Sequence, residues 1–569
     1  MGAIQGVTPK GNAAANFNFR NNKINVFANA GVSVGDYRYT PHAIRIQKDT
    51  LYDQRLTLIQ GNTSYNIKAG ADYFINSQQT IGIIATAGIG ESDWNSVSRT
   101  DIYYNPTKEY VKTLTALNDI PRRRTNFNTN LNYRYADTNG VEINLDADYG
   151  FFRGRAESLQ PNYYTDKEGK LLSEVITRNS TPTDINIYSG KVDFVIPTGS
   201  GKLGFGGKFV YVETNNTSDF YNNVNNSSIK AQDRSFNFLY TELVSAAYVT
   251  YQRQLSKKLS LQAGVRVEHT NSEGQLTRHD GNVQPDNNVT RDYVDFFPNA
   301  ALTYNLNEKN TFNLSYSRRI DRPVYQDLNP FEMKLDELTY LKGNSFLRPQ
   351  YTDNIELSHT WNNLITTSIG YSYVKDYATL TTDTLNNSTF VTTRNLAQQQ
   401  ILNASVSAPF TIQSWWRGFA TVWVNYQVFD GEISDSKVDE KATGYGANLQ
   451  QSFTIGNGYT AEVSGWFNGP SRFSPTWKLK AMGGVDVGVQ KTVLNKNGTV
   501  KLSATDIFKT ANAFRATNDF GGLIANINVG MESQTVRLTF TYRLGNNILK
   551  ASRQRQTGLE SESKRIKSE

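Results

Sequence analysis

The sequence contains no cysteine and only four histidines among its 569 residues. The missing cysteines exclude disulfide frameworks, thiolate metal sites and cysteine nucleophiles. The histidines are too far apart along the chain to suggest a cluster: His42, His269, His279 and His359. The sequence also lacks a Gly-rich phosphate loop and a Ser-His-Asp arrangement. We therefore expect no metal, no cofactor and no enzymatic activity.

Long hydrophobic runs are missing as well. No apolar run approaches the ~18 residues that a membrane-spanning helix needs, and the mean hydropathy is -0.53. Transmembrane helices are thereby excluded, but a membrane protein built of strands is not, because a barrel strand is apolar on one side only. The first residues, MGAIQGVTPK, show no basic stretch followed by an apolar one, so no secretory signal is visible. Because a barrel has to be exported, we expect a processed or recombinant chain, or a fragment.

What the sequence does contain is an alternation of apolar and polar residues with a period of two. Residues 536–544 read VRLTFTYRL, with Val, Leu, Phe, Tyr and Leu at every second position. The same rhythm recurs in residues 24–32, 127–135, 141–149, 259–268 and 311–317. This period predicts strands rather than helices. The aromatic content of 12% suits the interfacial girdles of an outer-membrane barrel.

The connections between these runs alternate between short and long. Ten short polar connections lie near residues 21–23, 77–79, 137–140, 199–201, 256–258, 307–310, 362–363, 413–414, 456–458 and 495–498. Longer stretches separate them, including residues 93–121, 153–184, 215–235, 270–291, 318–350 and 376–394. An outer-membrane barrel has short periplasmic turns and long extracellular loops. The sequence therefore predicts an all-β fold, a large antiparallel transmembrane β-barrel.

The number of strands suggests that one is missing. Ten hairpins and the run of residues 524–544 give about 21 strands, one short of the even number, 22, expected of a bacterial single-chain barrel. The first run, residues 12–20, leads straight into a short turn, so it descends, and we expect an ascending strand upstream of this chain. Residues 1–11 are then a residual loop or disordered start, and residues 12–545 form the barrel. A strand within residues 1–11 that pairs with residues 524–544 would refute this.

The last residues, 546–569, form a charged tail. The net charge of the chain is only +7 and is otherwise evenly spread. No aromatic residue interleaves with the charges of the tail, so we expect a solvated periplasmic extension and no nucleic-acid partner. The charged residues in question are Arg553, Arg555, Glu560, Glu562, Lys564, Arg565, Lys567 and Glu569.

Residues 318–361 resemble a passage of TonB-dependent outer-membrane receptors, in particular the outer-membrane β-barrel family abundant in Bacteroidetes. There, a strand ending in Arg-Pro enters a long loop with Asn-Pro-Phe, and Gly-Asn-x-x-Leu-x-Pro introduces the next descending strand. The corresponding residues here are Arg322-Pro323, Asn329-Pro330-Phe331 and residues 343–349. Residues 500–508 (VKLSATDIF) resemble the penultimate ascending strand of the family. The first half of the chain matches only in rhythm.

The resemblance implies a function. A complete receptor of this kind binds a scarce nutrient at the extracellular face of the Gram-negative outer membrane and imports it when TonB pulls on an N-terminal plug. No plug and no coupling box can be fitted before Asn12, so this chain would supply only the translocation shell and the recognition loops. The implied partners are outer-membrane lipid, a plug encoded upstream or separately, the TonB system acting through that plug, and a possible surface lipoprotein.

Candidate ligand or plug contacts follow from the predicted facing of the strands. A charge facing lipid near mid-membrane costs about 2 to 4 kcal/mol, so Arg266 and Glu268 should line the lumen while Val265 and Val267 face lipid. Near the mouth, the arginines could hold an anionic ligand through paired N–H donors. The alternative, which we favour, is that they pair with Asp321, Asp327 or a plug carboxylate. The candidates near the mouth are Arg318, Arg319, Arg322 and Tyr325.

Two other functions remain open. A plugless barrel could serve as a structural anchor or scaffold for a cell-envelope complex, with no transport of its own. A soluble β-propeller enzyme is disfavoured, because its blades would produce an internal repeat of about 40 to 50 residues, which the sequence lacks.

Overall fold

The computed structural model describes residues 1–224, 227–283, 287–385, 388–433, 436–545 and 557–566. Helical structure in this part of the chain is limited to a 3-10 turn at Gln232–Arg234 and two short helices, α1 (Tyr325–Leu328) and α2 (Glu560–Ser563). In chain order, its strands are β1 (Gly2–Gln5), β2 (Pro9–Arg20), β3 (Ile24–Gln47), β4 (Thr50–Phe74), β5 (Gln79–Tyr104), β6 (Glu109–Ala136), β7 (Glu142–Thr165), β8 (Leu171–Ser180), β9 (Thr183–Thr198), β10 (Gly201–Val224), β11 (Ser227–Lys230), β12 (Phe236–Gln254), β13 (Leu259–Arg278), β14 (Asn288–Asn307), β15 (Asn310–Asp321), β16 (Glu332–Asp336), β17 (Thr339–Lys342), β18 (Gln350–Trp361), β19 (Ile365–Lys375), β20 (Ala378–Leu385), β21 (Ser388–Asn395), β22 (Gln398–Gln413), β23 (Trp416–Ile433), β24 (Ser436–Gly456), β25 (Tyr459–Asn468), β26 (Ser471–Arg472), β27 (Trp477–Leu479), β28 (Met482–Val493), β29 (Gly498–Thr505), β30 (Ala513–Phe520), β31 (Leu523–Met531) and β32 (Thr535–Tyr542).

The wall is a closed antiparallel barrel of 22 strands, which confirms the predicted fold. Each wall strand pairs with its neighbours along the chain, and the barrel closes where β1 pairs with both β2 and β32. A closed ribbon has no free edge, so the backbone N–H and C=O groups of the wall can be satisfied within lipid. The strands outside the wall are β8, β11, β16, β17, β20, β21, β26, β27, β30 and β31.

The expectation that a strand is missing upstream is wrong. β1 lies within residues 1–11 and pairs antiparallel with β32, with Gly2 opposite Thr539 and Gln5 opposite Val536. It is the ascending strand that the count lacked. β1 has only four residues, GAIQ, and a strand so short carries too little alternation to be recognised. The described start of the chain is therefore part of the wall, and neither a residual loop nor disordered.

All ten predicted short connections join consecutive wall strands, so they lie together at one end of the barrel, here called the short-turn end. Several contain residues with positive φ, such as Gly140 at 91° and Asn457 at 51°. The turns of tight hairpins require such values, and glycine and asparagine adopt them at the least cost. Trp361 and Trp415 lie beside two of these turns and are half exposed, as expected of an interfacial girdle.

The long connections at the opposite end are more regular than expected. Residues 93–121 were expected to form a loop, but β5 and β6 remain paired from Gln79 opposite Tyr135 to Tyr104 opposite Glu109. Many of the predicted loops are thus hairpins that continue the wall. The upper part of β3 pairs with β31. β5 and β6, with 26 and 28 residues, are much longer than a lipid crossing needs, since about 9–11 tilted residues suffice.

The side chains alternate as predicted between two chemically different surfaces. On β32, Val536 and Leu538 point outward and are each 51% exposed. On β13, the buried Glu268 lies on the lumen side together with Thr270 and Ser272. No helix in the described ranges is long and apolar enough to cross a membrane.

The prediction of a solvated tail is wrong for residues 557–566. This stretch contains α2 and lies inside the barrel, where Leu559, Glu562 and Arg565 are buried. The tail residues Arg553, Arg555, Lys567 and Glu569 lie outside the described residues.

Candidate functional site

A buried ion-pair network lies on the lumen side of β12 and β13, near the long-hairpin end. Glu268 accepts hydrogen bonds from two arginines: Arg266 Nε at 2.5 Å and Arg322 Nη2 at 2.7 Å. Arg322 also donates to Thr270 Oγ1 at 2.8 Å. Because β13 places residues 266, 268 and 270 on one face, this local geometry follows from the two-residue period. Burial lowers the pKa of Arg322, but Glu268, together with Tyr293 and Glu242, outweighs this and holds the pKa above its ordinary value.

A second carboxylate, Glu242 on β12, lies beside this network. It accepts a hydrogen bond from Tyr240 at 2.7 Å. The guanidinium of Arg565 binds the same carboxylate through both terminal nitrogens, with Nη2 at 3.1 Å from Oε2. The side chains of Arg565 and Glu242 are only 10% and 3% exposed. Such a two-pronged contact is the strongest common pairing of an arginine with a carboxylate.

The helix α1 covers the network from the long connection between β15 and β18. Tyr325 packs under Arg565, whose Cζ lies 4.2 Å from the ring centroid. The backbone amide of Tyr325 donates to Arg565 O at 3.0 Å. Burial raises the pKa of the Tyr325 hydroxyl well above its ordinary value, so this group stays neutral.

The lumen wall next to the network carries an apolar patch. Its side chains are almost fully buried, and they are covered by Tyr325 and Leu328 of α1, by Leu347 and by Leu559. If nothing covered this patch, water in the bore would contact it, at a cost of about 25 cal/mol per Å² of apolar surface. The wall residues of the patch are Ile185, Ile187, Val210, Val212, Phe238, Tyr240 and Val244.

Four of the six residues singled out from the sequence therefore meet at one place: Arg266, Glu268, Arg322 and Tyr325. Arg322 pairs with Glu268, a carboxylate of the wall. The other two residues lie apart. Arg318 packs on Tyr351, with its Cζ 5.5 Å from the ring centroid, and Arg319 is exposed. Residues 318 and 319 point to opposite faces of β15, so the structure does not bring Arg318, Arg319 and Arg322 to one place.

Sequence reasoning missed Glu242 on β12 and Lys208 on β10, which pair with the C-terminal residues Arg565 and Glu562. Glu242 occupies a lumen position of β12, so the period of two could have placed it. The tail offered a weaker signal: Leu559, Glu562 and Ile566 follow a spacing of three and four residues, which places them on one side of a helical turn.

A second feature of the long-hairpin end is a small sheet that folds into the mouth of the barrel. It consists of β16, β17, β21 and β20 in that order. Arg45 on β3 donates to Thr389 Oγ1 at 2.7 Å, and the Asn344 amide donates to Thr393 O at 3.1 Å. These contacts fix the sheet to the wall and to the connection that follows β17.

Two cavities adjoin this sheet. The larger, about 630 Å³, is lined by Arg234, Arg278, Lys342 and Arg394, with Asp233 and Glu332 as the opposing charges. The smaller, about 310 Å³, is lined by Lys342, Phe152 and Phe331 and by the arginines of residues 122–124. Both volumes are typical of small-molecule sites. Their cationic lining suits an anionic ligand with an apolar or aromatic body.

The sequence model of the outer membrane protein beta-barrel family matches residues 134–542, well over half of the chain. The chain belongs to this family. Its fold and family confirm the expected barrel of TonB-dependent receptors and place it in the Gram-negative outer membrane. The long-hairpin end is then extracellular and the short-turn end periplasmic. No curated protein matches the sequence.

Solved structures share the fold at low sequence identity. The copper transporter OprC superposes with a TM-score of 0.59 at 11% identity, covering 95% of this chain and 83% of that one. BauA, the ferric preacinetobactin receptor of Acinetobacter baumannii, gives 0.57 at 12% identity, covering 95% and 79%. FyuA, the ferric yersiniabactin uptake receptor of Yersinia pestis, gives 0.54 at 12% identity, covering 90% and 84%. At these identities, the likeness concerns the fold alone.

Proposed function

We propose that this barrel is the translocation and ligand-recognition shell of a TonB-dependent nutrient importer. Its partners are outer-membrane lipid, a plug domain encoded upstream or separately, and the TonB system acting through that plug. The chain itself performs no chemical reaction on the nutrient. The observation that carries this proposal is the folded mouth, where the sheet of β16, β17, β20 and β21 divides two ligand-sized cavities.

The lining of the cavities favours one class of nutrient. The larger cavity has four cationic side chains against two carboxylates, and Arg234 lies over the Phe220 ring, with its Cζ 3.5 Å from the centroid. Arginine forks bind planar anions such as carboxylates, and aromatic rings stack on flat ligands. An anionic nutrient with an aromatic or apolar part fits this lining. Three solved structures with this fold are a copper transporter, a ferric yersiniabactin uptake receptor and a ferric preacinetobactin receptor, and these names support import as the function proposed here.

A second function has support from one observation. The C-terminal residues lie on the lumen wall and bind Glu242 there, which partly fills the passage. A barrel filled in this way could act as an anchor or scaffold, with a surface lipoprotein or another envelope protein as its partner and no transport of its own.

Growth of a deletion strain separates the two. Under the import hypothesis, the strain loses growth on one sole iron or carbon source, and the loss is restored by the chain only when TonB and the proton-motive force are intact. If growth is normal on every source while envelope integrity fails, the scaffold function is favoured and import is contradicted.

A further inference from the structure

The C-terminal segment, residues 557–566, lies against the lumen wall although its sequence is rich in charge. It begins beside β7, where the amide of Gly558 donates to Asp148 Oδ2 at 3.1 Å. It ends beside β12 and α1, where Arg565 binds Glu242. The segment thus runs along the inside of the barrel, away from the short-turn end.

The apolar contacts of the segment match the wall. Leu559 is 2% exposed and belongs to the same buried cluster as Ile185, Val210 and Phe238. Ile566 packs against this cluster from the other end of the segment. A leucine in a solvated tail would be exposed, and an apolar patch in a water-filled bore would be in contact with water. The burial of Leu559 against the patch removes both from water.

The charges match as well. Lys208 on β10 pairs with Glu562 at 3.2 Å, and their side chains are 12% and 11% exposed. Glu242 on β12 pairs with Arg565, so a wall cation meets a segment anion and a wall anion meets a segment cation. Burying either charge without its partner would be costly, which fixes the register of the segment on the wall.

The segment also holds the extracellular connection that contains α1. Arg565 Nε donates to Pro323 O at 3.0 Å, and the amide of Tyr325 donates to Arg565 O at 3.0 Å. The residues that follow, Gln326, Asp327 and Phe331, line the smaller mouth cavity. Through Arg565, the C-terminal segment therefore contacts the connection that forms part of the wall of a candidate ligand cavity.

We propose that the C-terminal segment is an internal ligand of the lumen: it docks on the patch between β7 and β12, obstructs this side of the passage and holds α1 folded inward under the smaller cavity. The docking site recognises a short peptide with an apolar residue at each end, an acid near its middle and an arginine next to the last apolar residue. Docking depends on the barrel alone, so it does not require that the protein imports anything.

The cysteine-free sequence allows a direct test by cross-linking. A Cβ placed on Gly558 would lie 3.3 Å from the Cβ of Ser189, close to the spacing of about 3.5 to 4.5 Å found in disulfides. The Asp148 carboxylate lies in the way and has to turn aside. The test pair is Gly558→Cys with Ser189→Cys in the full chain. The control pair is Gly558→Cys with Tyr188→Cys, since Tyr188 points outward and is 47% exposed.

We expect the test pair to oxidise in outer membranes, with loss of both free thiols and a faster band on non-reducing gels, while the control pair keeps its thiols. Equal behaviour of the two pairs would overturn the proposal. So would an assembled, heat-modifiable barrel whose test pair stays reduced.

A second measurement applies if the double variant does not assemble. Leu559→Cys should react slowly with a membrane-impermeant maleimide, because this residue is buried. Adding Glu562→Lys should speed labelling, and combining it with Lys208→Glu should restore protection by swapping the charges. Rapid labelling of Leu559→Cys by itself, or a swap that restores nothing, would contradict docking. Growth on the nutrient is not measured in either experiment, so their failure leaves the import hypothesis standing.

Discussion

Arg322 and Glu268 form a buried ion pair that joins the Arg-Pro entry of an extracellular connection to the lumen wall. Their N and O atoms are 2.7 Å apart, and the side chains are 13% and 9% exposed. Glu268 holds Arg266 at the same time. The connection that contains α1 is therefore tied to β13 at its first residue after β15.

Removing Arg322 should destabilise the barrel. Arg322→Ala leaves the buried Glu268 with Arg266 alone, and breaking a buried pair in this way costs about 3 kcal/mol. The matched control is Arg319→Ala, because Arg319 is exposed on the adjoining strand end and its loss should stay within about 0.5 kcal/mol. Urea unfolding of the detergent-refolded barrel, followed by heat-modifiability on gels, measures both. Equal midpoints for the two variants would contradict the structural role of the pair.

The stability of the barrel near its first strands should depend on pH through Glu532. Glu532, after β31, pairs with Lys10 at 2.7 Å and accepts from the Thr8 amide at 3.2 Å. Burial raises the pKa of the Glu532 carboxyl, but these contacts outweigh it, so the pKa lies below the ordinary value of 4.5. A lowered carboxyl pKa stabilises the fold above the unfolded-state value, and this stability is lost as pH falls through the folded-state value.

We therefore expect the thermal midpoint of the barrel to fall below pH 4.5, and Glu532→Gln to remove part of that fall while lowering the midpoint at neutral pH. Heat-modifiability across the pH range provides the measurement. If the thermal midpoint of the variant follows the same pH profile as that of the natural protein, this carboxylate does not control the stability of the barrel.

The two faces of β13 should respond differently to charge. Val265→Arg places a cation on the lipid side at a cost of about 2 to 4 kcal/mol, so less barrel should assemble in the outer membrane. Arg266→Leu removes one partner from Glu268, which keeps Arg322, so the barrel should still insert. The heat-modifiable fraction in outer membranes reports the outcome. Equal assembly of the two variants is incompatible with the facing of this strand.

Lys342 lines both mouth cavities, so its charge should matter for nutrient capture. Lys342→Glu should raise the nutrient concentration for half-maximal growth about tenfold, which corresponds to about 1.4 kcal/mol of binding. Lys167→Glu is the matched control: each lysine lies 3.6 Å from a glutamate, but Lys167 sits at an exposed hairpin tip outside the cavities. If the control impairs growth as strongly, general charge and not the cavity explains the effect.

Much of the wall was predictable because the alternation of apolar and polar residues along a barrel strand shows which side chains face lipid. Val265 and Arg266 could be assigned to opposite faces from their positions alone, and the polar turns at residues 137–140 and 456–458 marked the strand ends. The first strand, Gly2–Gln5, was missed because four residues carry too little pattern.

The candidate site was predictable only in part. Arg266, Glu268 and Arg322 were named from facing and from the Arg-Pro motif, but their mutual pairing depends on which strands become neighbours. The partnership of Arg565 with Glu242 joins residues 323 positions apart in sequence, and no local pattern encodes such a contact. Charge in a terminal stretch normally indicates that the stretch is solvated. Here two charged residues of the stretch are buried, because each has a partner of opposite charge on the wall.

The central claim is a closed barrel with an aqueous bore and a lipid-facing exterior, and single-cysteine labelling along β13 tests it most directly. Each position from 262 to 267 is replaced by cysteine in turn and exposed to a water-soluble, membrane-impermeant maleimide in intact outer membranes. The structure predicts labelling that alternates, with even positions reacting from the lumen and odd positions protected by lipid, apart from positions that neighbouring side chains bury. Uniform labelling, or an alternation of the opposite sense, would contradict the claim.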